Sequence, residues 1–146
     1  MDHKQRPRSI LKSLSKNDTG ETGTHQVGIL VPKRPEILSF FPPLAPRIKN
    51  PRALLRFKDD RGGTWDFPFI FYNNKFFGGT RNEYRLTSMT AFIRANSLRA
   101  GDDLILTRND DDTFHITFTR RRVVQKSADG ILRLGNEWRV IPIREV

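Results

Sequence analysis

Trp65, Phe67, Phe69 and Phe71 recur at every second position between Trp65 and Tyr72, and no other stretch restricts the fold so tightly. Period two is strand spacing, so the four rings share one face of a sheet. Ahead of them lie Ala53 to Phe57, with Leu55 and Phe57 apolar, and the polar turn Lys58-Asp59-Asp60-Arg61-Gly62-Gly63, which together read as a hairpin. The aromatic stripe has two readings: a core face, or a stacking platform for single-stranded DNA or RNA. Leu55 and Phe57 alongside favour the core. Pro68 interrupts the stripe without an N–H to donate, so this strand is expected at an edge or a bulge.

The rest of the chain is punctuated in the same way. Ser9 to Ser15 alternates as a strand and feeds Lys16 to Gln26, a long polar loop with two glycines that must be solvated or in contact with a ligand. Val27 to Val31 is a short strand stopped by Pro32, and Pro35 opens a helix carrying Ile37, Phe40 and Phe41. Leu44 to Pro51 is a basic connector. Ser88 is placed as the N-cap of a second short helix, with Met89, Phe92 and Ile93 on its buried face. Leu104 to Arg108 and Thr113 to Arg120 form a hairpin across Asn109 to Asp112, and Trp138 to Ile143 supplies a last strand. Seven or so short strands with two short helices predict a mainly β, nearly closed antiparallel barrel. A chain of 146 residues is the length of one domain, expected over residues 1–146 with 1–8 a lead-in and 121–146 an extension.

Charge points to a partner. Lys and Arg number 26 against 16 Asp and Glu, a formal net charge of +10 that favours a polyanion, nucleic acid first. With 11 Phe and 2 Trp the chain is a folded basic domain, not a basic tail. No apolar run approaches the ~20 residues of a membrane span, and no cleavable leader is evident, so a soluble, cytoplasmic protein is expected, without a membrane partner. The absence of cysteine removes disulfides and thiolate chemistry.

Catalysis finds few residues. A carboxylate stands two positions before a lysine only in Asp2-His3-Lys4, and Asp110, Asp111 and Asp112 share a tight turn whose side chains diverge. His3, His25 and His115 are too scattered for a zinc site or a triad. The expectation is no catalytic site, no metal and no cofactor; the rival is a minimal Mg²⁺ nuclease built on Asp110 to Asp112.

The distinctive decapeptide is Phe76 to Arg85, Phe-Phe-Gly-Gly-Thr-Arg-Asn-Glu-Tyr-Arg. Its glycine pair breaks an aromatic strand, and the alternation beyond sets Arg81, Glu83 and Arg85 on one face of an extended arm, with Asn82 and Tyr84 on the other. An arginine fork matches O6 and N7 of guanine, and a carboxylate accepts from N4 of cytosine. Equally, such a hairpin can pair its Arg and Glu only with each other.

Two motifs carry a resemblance. Lys-Asn-Asp-Thr-Gly-Glu-Thr-Gly-Thr-His-Gln-Val-Gly-Ile-Leu-Val-Pro, from Lys16, and Tyr-Asn-Asn-Lys-Phe-Phe-Gly-Gly-Thr-Arg-Asn-Glu-Tyr-Arg-Leu-Thr, Tyr72 to Thr87, resemble in order the N-terminal effector domain of the EcoRII restriction endonuclease family. Ser88 to Phe118 also resembles the C-terminal half of plant B-three-type transcription-factor domains. The resemblance implies a seven-stranded DNA-binding pseudobarrel that holds duplex DNA between two arms entering the major groove. It implies an N-arm of Lys16, Asn17, Asp18, Thr19, Glu21, Thr22, Thr24, His25 and Gln26, and a C-arm region of Asn73, Asn74, Lys75, Thr80, Arg81, Asn82, Glu83, Tyr84 and Arg85. Gly79 and Tyr84 stand where the EcoRII enzyme has lysines. A CCWGG-type pentanucleotide is the implied target, and a linked or separate nuclease domain the implied partner, which a chain this short is not expected to contain.

Overall fold

The computed structural model describes residues 6–23, 28–121 and 138–142. Its strands are β1 (Ser9–Ser13), β2 (Ile29–Val31), β3 (Arg52–Lys58), β4 (Thr64–Tyr72), β5 (Glu83–Leu86), β6 (Asp103–Arg108), β7 (Phe114–Thr119) and β8 (Trp138–Ile141). Three short helices, α1 (Lys16–Thr19), α2 (Pro35–Leu38) and α3 (Thr90–Ala95), and a 3₁₀ turn at Asn74–Phe77 join them. All eight strands form one sheet in the order β2-β5-β4-β3-β7-β6-β1-β8, one strand more than the sequence suggested.

The sheet consists of two four-stranded halves. Neighbours within each half are antiparallel, and the halves meet where β3 and β7 run parallel over only Phe57↔Phe114 and Lys58↔His115. At the far side the outermost strands approach through side chains. The Trp138 indole N–H donates to the Leu30 carbonyl at 2.8 Å, and Arg34 Nη2 donates to the Trp138 carbonyl at 2.8 Å. Trp138 is buried, its ring edge-on to Phe41, so this seam closes a barrel that backbone pairing leaves open.

The inner faces supply one apolar core. Phe57, Phe67, Phe69, Leu104, Leu106 and Ile116 are buried beneath Phe40, Phe41, Phe92 and Ile93 from the helical segments. With Phe67, Phe69 and Phe71 buried and Trp65 edge-on to Phe92, the stripe is core and no open stacking platform.

Three local expectations are corrected. Pro68 lies in an interior strand, between β3 and β5. It is tolerated because β5 ends opposite it: the Pro68 carbonyl accepts the Thr87 N–H and hydroxyl, both at 2.8 Å, and no N–H is needed in return. The Lys16 to Gln26 loop begins with a helix, α1, closed by a capping box in which Ser15 Oγ accepts the Asp18 N–H and Asp18 accepts the Ser15 N–H. Ser88 is not an N-cap. Its φ is 62°, and the N-cap is Met89, one residue later, with α3 beginning at Thr90.

Candidate nucleic-acid interface

The C-arm enters β5 at Glu83, across from Tyr72, and the N-arm returns to the sheet at the other end of β5, where Ile29 pairs with Leu86, by way of Gly28. This residue has φ +73°, and a Cβ on it would lie 2.2 Å from the Leu86 carbonyl oxygen, so only glycine lets the returning N-arm press against the backbone of the C-arm strand. Arg85 fastens the contact by donating from Nη1 to the Gly28 carbonyl at 3.1 Å. Beside the N-arm lies a cleft of about 640 Å³, lined by Asn17, Asp18, Thr19, Gly20 and Gly23 of that arm together with Tyr72 at the end of β4, Thr87 and Ser88 after β5, and Thr90 and Arg94 of α3.

The C-arm begins where the 3₁₀ turn ends at Gly78 in the left-handed conformation. Asn74 then holds the chain, its Oδ1 accepting the Arg81 N–H at 2.6 Å. From there the register Tyr72↔Glu83 and Ile70↔Arg85 puts Arg81, Glu83 and Arg85 on the outer face of the sheet. Glu83 is the hub. Its Oε1 accepts Nε and Nη2 of Arg81 at 3.2 and 3.0 Å, and its Oε2 accepts Nε of Arg85 at 3.0 Å. Partial burial pushes the Glu83 carboxyl upward, but the hydrogen bonds and charges of both arginines outweigh it and hold the group below the ordinary glutamate range.

The two arginines are not equivalent. The Arg85 side chain is 16% exposed, and all three guanidinium nitrogens face Glu83 or Gly28, which makes it a strut. Arg81 is 36% exposed. Its Nε/Nη2 edge is occupied by Glu83, whereas among the described residues no acceptor meets Nη1. The outer Nη1/Nη2 edge is left as a two-donor fork.

The N-arm is built from a buried ion pair upward. Lys12 Nζ lies 3.1 Å from Asp18 Oδ2, with side chains 7% and 11% exposed, and this pair anchors α1 to β1. Glu21 ties the turn after α1 to the α3–β6 connection by accepting the Ala100 N–H at 2.7 Å, and the Thr19 hydroxyl that donates to it leads in holding its pKa low.

These contacts sort the sequence-predicted residues. Lys16, Asn17, Thr19 and Thr22 present the N-arm surface; Asp18 and Glu21 brace it. Thr24, His25 and Gln26 lie outside the described residues. On the C-arm, Lys75 and Thr80 are exposed beside the Arg81–Glu83–Arg85 row. Asn73 is scaffold and not surface: it is fully buried, its amide donating to the Ile48 and Pro46 carbonyls and its Oδ1 accepting the Asn50 N–H. Asn82 and Tyr84 face the other way. Asn82 accepts from Lys33 at 2.6 Å, and Tyr84 stacks on Phe71 with ring centroids 4.2 Å apart. Gly28, Tyr72 and Arg94 were not singled out in the sequence. For Gly28 a signal existed, since glycine at the start of a strand marks close backbone approach. The sequence offers base reading or pairing with Glu83 for Arg85, but carries no sign of its bond to the Gly28 carbonyl.

Among the described residues no group of three or more His, Asp or Glu side chains could hold a metal ion. Asp111 instead accepts the Thr113 N–H and hydroxyl within its turn.

The architecture defines the class: a pseudobarrel of the B-three type. A solved structure described as the Arabidopsis FUS3-DNA complex has this fold, with a TM-score of 0.58 at 20% identity, covering 75% of this chain and 94% of that one. The chain belongs to the family described as "Restriction endonuclease EcoRII, N-terminal", which matches residues 7–129. It is 39% identical over 84 residues to the type II restriction enzyme EcoRII of Escherichia coli, covering 53% of this chain and 20% of the enzyme. It is 29% identical over 131 residues to auxin response factor 2 of Oryza sativa subsp. japonica, covering 90% of this chain and 17% of that protein. The chain thus spans about a fifth of the length of these relatives.

Proposed function

We propose that this domain binds double-stranded DNA in a sequence-specific manner, its two arms entering the major groove and its target a CCWGG-type pentanucleotide. The observation that carries this is the Arg81 fork, held on the outer face of the C-arm by a carboxylate shared with Arg85. Two parallel donors suit O6 and N7 of guanine, and a carboxylate beside them suits N4 of the paired cytosine. A formal charge of +10 supplies the sequence-independent attraction to phosphate. The family supports the same reading, as does the presence of DNA in the FUS3 complex.

On this reading the domain recognises and does not cut, cleavage belonging to a linked or separate nuclease domain of a prokaryotic restriction system in the cytoplasm. Selection of bound sequences from a random duplex pool tests recognition, and enrichment of the pentanucleotide is expected. Recovery of unrelated sequences, or preference for single strands, refutes it. Arg81→Ala is expected to lose ~1 to 3 kcal/mol of discrimination at one base pair. Duplex cleavage by this chain alone with Mg²⁺ refutes the division of labour.

A further inference from the structure

Arg81 is held by more than Glu83. Its guanidinium carbon lies over the Tyr72 ring, 3.9 Å from the centroid, well inside the ~6 Å reach of a cation–π contact. Tyr72 is the last residue of β4, directly opposite Glu83 in the register, so Arg81, two residues before Glu83, is its diagonal cross-strand neighbour. The alternation that buries Phe67, Phe69 and Phe71 turns Tyr72 to the other face, where it lines the cleft with Asn17 and Arg94.

We propose that Tyr72 is a positioning residue for sequence readout: its ring is the floor on which the Arg81 guanidinium lies, fixing the plane in which the free donor edge reaches a guanine. Glu83 alone leaves one freedom. Two hydrogen bonds to a single carboxylate oxygen act as a pivot, about which the guanidinium can tilt. A flat ring beneath removes that tilt, and with it the entropy otherwise lost when the fork meets its base. An aliphatic residue of similar bulk fills the site without defining a plane.

This inference rests on Arg81 reading a base, so its test has one arm with DNA and one without. In the free protein, Arg81 Nε–Hε of Tyr72→Phe should keep the ring-current-shifted NMR resonance of the wild type, and Tyr72→Leu should lose it. On duplexes, Tyr72→Leu should lower discrimination at the base pair read by Arg81 by roughly two- to five-fold. Tyr72→Phe should retain it, and in the Arg81→Ala background Tyr72→Leu should have no further effect. An Arg81 resonance indifferent to Tyr72→Leu overturns the proposal whatever the DNA arm shows. So does a Tyr72→Leu loss that is equal on all duplexes and persists without Arg81. A wild type that binds all duplexes alike refutes the base-reading function and this role with it, although the free-protein arm still reports whether the ring holds the arginine.

Discussion

Single residues decide whether the arms are held in one geometry. At Gly28 a methyl group meets the Leu86 carbonyl oxygen at 2.2 Å in a left-handed backbone. Gly28→Ala is therefore expected to cost about 3 kcal/mol, measured by urea unfolding, because the strain of the backbone adds to a contact that only main-chain movement relieves. Glu83 sets the acid limit of the arm. Its folded pKa lies below that of the unfolded chain, so its contribution to stability is complete above the ordinary glutamate range, declines as pH falls, and is gone below the lowered folded value. Unfolding measured over that acid interval should show this loss in the wild type and a shallower decline in Glu83→Gln.

Elements show what sequence could and could not disclose. β3, β4, β6 and β7 were legible because each sends alternate apolar residues toward the same core, Leu55 and Phe57, Phe67 and Phe69, Leu104 and Leu106, and Ile116 flanked by the partly buried Phe114 and Phe118, and period two survives in the letters. α1 was not: it buries no residue and so carries no apolar period, and its only mark is Ser15 three residues before Asp18. The place of Pro68 depended on where a distant strand stops, which no local pattern records. The row of Arg81, Glu83 and Arg85 was visible as alternation, whereas the Tyr72 ring beneath it depends on the pairing of β4 with β5. Asn73 illustrates the converse, a polar residue in a polar run that turns inward to hold the connector before β3. Asn73→Ala leaves the Ile48 carbonyl and the Asn50 N–H without their partner, and a loss of about 2 to 3 kcal/mol in thermal or urea unfolding is expected.

At the scale of the whole molecule, shape and charge act together. Arg94 faces the cleft from α3 and is exposed. On the proposed function Arg94 takes a phosphate, so Arg94→Ala should weaken every duplex alike and reduce the slope of log affinity against log salt by about 1, measured by titration at several ionic strengths. The joint at Gly28 and Arg85 has a consequence for energetics. The entry of the chain into β2 is set against β5 by a main-chain abutment and one guanidinium. On the proposed function this joint needs little rearrangement when duplex DNA binds, so a calorimeter should record, for the part it contributes, rigid-body docking without the large heat-capacity change of a segment that folds as it binds.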